Sequence, residues 1–303
     1  MAGPTHPDVV LITGCSSGIG RAAAVSLHKA GLQVYASARR LDALNDLASR
    51  GIHTLALDVT DETSMTGAVA AVEAEAGAIS VLINNAGYGL YGPVEQQPMA
   101  EIRRQFETNF FGLVRLTQLV LPGMRRRRGG RILNVSSMGG RATLPGGAFY
   151  HASKYAVEAL SDALRMEVAQ FGIHVVLIEP GPVKTPWNEV AAASLSTAVP
   201  GAPDSGPAGP RGGDGDASVA RDPYAAYKSA VGASFATAQT GPLARLASTA
   251  EDIAEVITRA ITTPRPRTRY LINPLAKSVV AMNRLLPGRA YDAVLRRQYR
   301  LPH

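Results

Sequence analysis

Tyr150 and Lys154 stand four residues apart in the run Tyr150-His151-Ala152-Ser153-Lys154. On a helix that spacing puts both side chains on one face, one turn apart. A free tyrosine titrates near about pH 10 and gives up its proton reluctantly at neutrality. A neighbouring ammonium favours the phenolate and lowers that value. Proton transfer is fastest when the group's pKa approaches the working pH. The pair therefore suits a general acid or base, and Lys154 is also placed to bind ribose hydroxyls. Taken alone, the same spacing is common on solvated helix surfaces. Upstream, Ile132-Leu133-Asn134-Val135 ends in the hydroxyls of Ser136 and Ser137. A hydroxyl at the carboxyl end of a parallel strand lies where ligands bind in open α/β sheets. There it would hold a substrate oxygen near Tyr150; the plainer reading is a turn or capping serine.

A second group of residues suits phosphate. Thr13-Gly14-Cys15-Ser16-Ser17-Gly18-Ile19-Gly20 follows an apolar, β-branched run and opens a helical pattern. Glycines permit a tight turn and close approach of backbone to a pyrophosphate, and the helix start adds free N–H groups and partial positive charge. The spacing departs from the widespread G-x-G-x-x-G form. The end of the next apolar run selects the nucleotide. An acidic residue there suits a ribose 2′-hydroxyl, and an arginine suits a 2′-phosphate. The sequence reads Ala36-Ser37-Ala38-Arg39-Arg40. Ala38 stands where an acid is expected, Arg39 follows, and Arg40 is in reserve. A guanidinium offers phosphate a planar fork of donors. The prediction is NADP(H); the alternative is two solvated surface arginines.

These residues need strands and helices to position them. Apolar runs at 9–13, 33–37, 53–57, 81–83, 131–135, 174–178 and 269–272 alternate with helical patterns at 21–30, 41–49, about 101–121, 152–171 and 251–261. Few polar residues interrupt the runs, which predicts strands covered on both faces. Alternating β and α elements predict right-handed crossovers and a doubly wound parallel sheet with helices on both faces. Asp61 is placed to cap a helix, and Thr249 with Asp252 resembles a capping box. Residues 200–216 are almost entirely Gly, Pro, Ala, Asp and Ser, which predicts a flexible excursion. A basic amphipathic extension, interrupted at Pro287-Gly288, follows at 275–303.

The chain has 303 residues, 46% hydrophobic, and a net charge of +7. That is enough to bury a sizeable core, in one large α/β domain or two small ones. The charge fits an enzyme for phosphorylated cofactors as well as it fits nucleic acid or anionic membrane. No stacking aromatics interleave with the basic residues, which argues against nucleic acid. Cys15 is the only cysteine, so no intramolecular disulfide forms, in keeping with a reducing compartment. No secretory signal and no apolar span of membrane length is visible, and the cytoplasm is the expected location. The six histidines show no metal-ligand spacing.

Together the motifs resemble the short-chain dehydrogenase/reductase family in its compact single-domain branch. The matching residues are, in order, Thr13–Gly20, Asp58, Asn84-Asn85-Ala86-Gly87, Asn109, Ser137, Tyr150 with Lys154, and Pro180-Gly181-Pro182-Val183-Lys184-Thr185. They span roughly residues 8–190. The resemblance implies a seven-stranded Rossmann sheet in one domain over 1–303. Within it, 8–185 would be the cofactor and catalytic core and 186–245 a substrate-covering segment. Tyr150 would be the acid in carbonyl reduction and the base in alcohol oxidation. Ser137 would polarise the substrate oxygen, Lys154 would lower the tyrosine and bind the nicotinamide ribose, and Asn109 would hold a relay water. The dinucleotide would rest on Gly14, Ser16, Ser17, Gly18, Ile19, Gly20 and Arg39. Asp58 would meet the adenine, with Val59 beside it. Asn85 and Gly87 would line the adenine-side ribose and the central sheet, and Pro180, Gly181, Val183 and Thr185 would complete the site, Thr185 on the carboxamide. No metal is implied. Cys15-Ser16-Ser17 and the segment around Arg39 look like the hydroxysteroid and retinol dehydrogenase-like group.

Tyr88, Leu90, Tyr91, residues 138–149 and Trp187 are the expected pocket walls. Their apolar character points to a lipophilic carbonyl or alcohol, steroid-, retinoid- or fatty-aldehyde-like; simple loop packing is the alternative. Arg141 would face an acidic substrate or water. Arg125–Arg128 reads as a solvated helix end suited to the helix dipole. The C-terminal extension fits a lid, a subunit contact or a membrane-surface helix, leaving peripheral membrane contact open. Family members are often dimers or tetramers through the helices near 101–121 and 152–171, so a homodimer or homotetramer is expected. Three other readings compete: a catalytically silent NADP(H)-sensing regulatory protein, a nucleotide-sugar epimerase or dehydratase, and a nucleic-acid or membrane module. Asn109, Ser137, Tyr150 and Lys154 together weigh against the first. The glycine spacing weighs against the second.

Overall fold

The computed structural model describes residues 8–185, 187–197, 222–240 and 246–302. The 200–216 excursion lies outside the described residues. Seven strands among the described residues form one sheet: β1 Val9–Ile12, β2 Gln33–Ala38, β3 His53–Ala56, β4 Val81–Asn84, β5 Gly130–Val135, β6 Ile173–Pro180 and β7 Arg269–Ile272. Their order is β3-β2-β1-β4-β5-β6-β7, and every neighbouring pair is parallel. The expected doubly wound sheet is therefore present. Its order reverses between β1 and β4, and ligands bind at such a switch point.

β1 shows why these sequences become strands. All four of its residues are buried, because each face meets a helix layer. Val10 and Ile12 pack with Ala23, Leu27, Ile253 and Ile257 on one side. Val9 and Leu11 pack with Met65, Val69, Leu116 and Val120 on the other. The helices are α1 Gly18–Lys29, the short α2 Asn45–Ala48, α3 Glu62–Ala76, α4 Met99–Phe106, α5 Gly112–Arg127, α6 Ala148–Val168, α7 Trp187–Thr197, α8 Ala225–Thr240, α9 Ala250–Thr262, α10 Pro274–Leu285 and α11 Gly288–Tyr299. Asp61 caps α3 by accepting from Ser64 N–H, and Thr249 and Asp252 close a capping box on α9, both as expected.

Two boundaries differ from expectation. The helix expected at about 101–121 starts at Met99, carries a π turn over Glu107–Phe111, and continues through Pro122 to Arg127. Burial of Leu116, Val120 and Met124 along one face outweighs the proline that suggested an end there. The helix expected at 152–171 begins at Ala148 and so takes in Tyr150. The C-terminal extension breaks at Pro287 as expected and forms α10 and α11. No helix among the described residues is long and apolar enough to cross a membrane.

Candidate functional site

The glycine-rich loop passes from β1 to α1 under the end of β4. Gly14 has φ +73, and a Cβ there would lie 2.9 Å from Ala86 Cα. A Cβ on Gly20 would lie 2.6 Å from Gly14 O. Asn85 secures this approach: its Nδ2 donates to Thr13 O at 2.9 Å and Gly14 O at 3.1 Å. Thr13 Oγ1 accepts from the N–H groups of Asn85 and Ala86, each at 3.0 Å. The Asn85 amide, expected on a cofactor, is thus engaged by the loop backbone, although the residue still borders the cavity. Ser17 is the N-cap of α1 but makes no side-chain capping bond, so the first helical N–H groups have no partner from it. Cys15 is fully buried beneath the loop, its thiol donating to Ile12 O at 3.5 Å, and burial pushes it up to about 12.

One cavity of about 750 Å³ runs from this loop across the carboxyl ends of the strands. Gly14, Ser16, Ser17, Gly18, Ile19, Arg39, Asp58, Val59, Asn85, Gly87, Pro180, Gly181, Val183 and Thr185 all line it; Gly20 and Asn109 lie behind the wall. Ala38 closes β2, and Arg39 is exposed at the cavity edge, whereas Arg40 is not part of the lining. Asp58 Oδ1 accepts from Thr60 N–H at 2.9 Å and Thr60 Oγ1 at 2.8 Å, which fixes the turn after β3. Arg104 of α4 joins the lining beside Tyr88. Burial raises the Tyr88 phenol, while the nearby guanidinium groups of Arg104 and Arg39 pull it down.

Ser137, Tyr150 and Lys154 meet on the opposite half. Ser137 follows β5, and its Oγ accepts from Gly139 N–H at 3.0 Å. Tyr150 lies in the first turn of α6 with its phenol beside Ser137. Burial pushes that phenol up to about 12, and the Ser137 hydroxyl opposes the rise. This is the reverse of the lowering expected from Lys154. The reason is geometric: Lys154 Nζ donates to Val135 O at 2.8 Å and stands 6.0 Å from the Tyr150 ring centre. Lys154 is itself brought down to about 8 by burial, with Glu158 holding it up. Asn109 sits in the π turn. Its Nδ2 donates to Tyr88 O at 2.9 Å and Ser153 Oγ at 3.1 Å, and its Oδ1 accepts from Tyr88 N–H at 3.1 Å.

Several participants were not legible in the sequence. His151 Nδ1 lies 3.0 Å from Gly139 O. A carbonyl only accepts, so Nδ1 carries the proton. The chain His151–Gly139–Ser137 thereby fixes the serine. Burial brings His151 down to about 4 and keeps it neutral. Glu158, one turn beyond Lys154, and Glu179 at the end of β6 share one guanidinium nitrogen: Arg269 Nε is 3.3 Å from Glu158 Oε2 and 3.1 Å from Glu179 Oε1. Arg141, expected to face substrate or water, pairs with Glu179 at 3.3 Å. Nothing short-range marks these pairings, because they join residues far apart in the chain. Of the expected walls, Tyr88, Tyr91, Met138, Leu144, Pro145 and Trp187 line the cavity; Leu90 and Phe149 do not. Ser234, Phe235 and Tyr299 join them. Arg125–Arg128 ends α5 in solvent, as expected. Among the described residues no group of His, Cys, Asp or Glu is arranged to hold a metal.

The profile of one protein family, described as short chain dehydrogenase, matches residues 8–195. An uncharacterized oxidoreductase of Escherichia coli, YbbO, is 33% identical over 296 residues, covering 97% of this chain and 96% of its own. Human retinol dehydrogenase 8 is 40% identical over 202 residues, 63% of this chain and 64% of that protein. Among solved structures, a short-chain dehydrogenase from Streptomyces avermitilis superposes with a TM-score of 0.72 at 30% identity, covering 99% of this chain and 98% of that one.

Proposed function

The chain belongs to the short-chain dehydrogenase family, and from that premise we propose that it is an NADP(H)-dependent oxidoreductase interconverting a lipophilic carbonyl and its alcohol. The observation that carries the reading is the convergence of Ser137, Tyr150 and Lys154 on the cavity that also receives the glycine-rich loop. The members bind a nicotinamide cofactor, and the residues fit one. Tight glycine packing holds the loop against β4, and the start of α1 has no side-chain cap. The phosphorylated nucleotide is favoured by Ala38 and by the exposed Arg39.

NADP(H), when bound, supplies or accepts the hydride. Tyr150 gives its phenolic proton to the carbonyl oxygen in reduction and takes it back in oxidation. Burial keeps the phenol protonated at neutral pH, which suits the acid role. Ser137 accepts from Gly139, so its own hydroxyl proton is left for the substrate oxygen. Lys154 holds ribose hydroxyls and steadies the phenolate. Asn109 holds the relay water behind it. Thr185 and the residues from Pro180 to Val183 would hold the nicotinamide, and Asp58 with Val59 the adenine. A lipophilic substrate is supported by the walls of Tyr91, Leu144, Trp187 and Phe235. We extend the reading to a cytoplasmic homo-oligomer.

Nicotinamide fluorescence tests the premise. The expected result is NADPH binding at least about tenfold tighter than NADH, a difference Arg39→Ala removes. Tyr150→Phe should bind NADPH normally and lower carbonyl turnover by about two orders of magnitude or more. Unchanged turnover would remove Tyr150 from the reaction, and NADPH binding by the wild type without reduction of any carbonyl would instead leave a nucleotide-sensing protein.

A further inference from the structure

The extension beyond β7 is tied to the segment that joins Ser137 to Tyr150. Asn283 Nδ2 donates to Arg141 O at 3.0 Å, and the Tyr291 hydroxyl donates to Thr143 O at 3.2 Å. Ala142 is buried against Val279 and Val280 of α10. Leu301 packs on the cluster that holds Tyr91 and Tyr150. Between these anchors Tyr299, at the end of α11, reaches the cavity that Tyr150 lines. Of the three roles the sequence left open for this segment, these contacts favour closure over the substrate.

The hydroxyl chemistry at Tyr299 is specific. Burial pushes its phenol up to about 12, and the hydroxyl of Ser234 on α8, beside it, opposes the rise. Ser234 donates its own proton to Val231 O at 2.6 Å. Its oxygen is therefore left to accept. Towards the cavity Ser234 offers lone pairs, and Tyr299 offers a phenol that donates or accepts. Tyr91, Leu144, Trp187 and Phe235 supply apolar surface in the same cavity. Of the charged lining residues, Arg39, Asp58 and Arg104 stand with β2, β3 and α4, and Lys154 stands behind Tyr150.

We propose that Tyr299 is a specificity-determining residue: with Ser234 it hydrogen-bonds a hydroxyl or amino group on an otherwise apolar carbonyl substrate. The inference rests on the oxidoreductase reading above. A site built to hydrogen-bond a substrate group penalises an analogue that lacks it, because the polar groups of the site are then left without a partner.

The test uses the full chain and NADPH-dependent reduction of straight-chain methyl ketones. Each ketone is either unsubstituted or carries one hydroxyl or amino group at successive carbons. At least one substituted ketone should exceed the plain ketone of equal length by about tenfold or more in kcat/KM. That ratio should fall towards one in Tyr299→Phe, and also in Ser234→Ala, which covers the case of a poorly folded Tyr299 variant. Wild-type ratios near one throughout, or a preference that survives in both variants, would overturn the assignment. NADPH binding is measured alongside. Binding with reduction but without preference removes only the Tyr299 role. Absence of binding strikes the oxidoreductase reading itself.

Discussion

Glu158 is a residue whose charge state the fold disturbs. Burial pushes its carboxyl up to about 7, and the nearby charge of Glu179 adds to the rise; Ser136, Arg269 and Arg141 oppose it. Glu158 Oε1 and Glu179 Oε2 are both buried without a partner, as expected of carboxyls that resist full ionisation together. A carboxyl whose pKa is higher in the folded chain binds its proton more tightly there. Its contribution to stability is therefore greatest below the ordinary carboxylate value of 4.5 and falls as pH rises towards about 7, above which it is level. Glu158→Gln should remove this slope. Melting temperatures would then show the variant gaining on the wild type as pH rises from about 5 to about 8. A difference constant across that range would contradict the assignment. The same carboxylate supports the charge on Lys154, so the pair behind the site and the group inside it titrate as neighbours.

At the scale of elements, the fit between β1, β4 and α1 decides whether the nucleotide loop keeps its shape. Asn85 is the link: it ends no strand and caps no helix, yet two loop carbonyls accept from its amide. Asn85→Ala leaves both carbonyls and opens a gap beside Gly20, and should cost about 1–3 kcal/mol in urea unfolding. NADPH affinity should fall with it. An unperturbed midpoint would show that solvent replaces the amide without loss. Much of this level was legible in the sequence. β-branched runs marked the strands, and Asp61 and Thr249 marked helix starts, because caps act over three or four residues. The π turn at Glu107–Phe111 and the passage of α5 through Pro122 were not legible, since packing against β4 and α3 decides them. In the site, Tyr150 and Lys154 were legible from local spacing. The Glu158–Glu179–Arg269 cluster and the place of Tyr299 were not, because each joins separate elements.

Taken whole, the molecule buries two apolar layers, one on each face of the sheet, and still leaves large apolar side chains outside. Phe111 and Tyr155 are about half exposed, and Met166 is 77% exposed. They lie on the π turn before α5 and on α6, the helices expected to meet a second subunit. Exposed apolar groups collected on adjacent helices suit a self-complementary contact. Met166→Glu should therefore shift the purified protein towards monomer in light scattering. A monomeric wild type would remove the basis for that contact.

The single sulfur of Cys15 gives the nucleotide loop one more property. Alkylating and oxidising reagents act on the thiolate, and burial holds this thiol near 12, beneath the loop and against Ile12. The folded chain thus presents no reactive sulfhydryl. Any modification at this sulfur must wait for the loop between β1 and α1 to lift, so its pace scales with how often the backbone opens there.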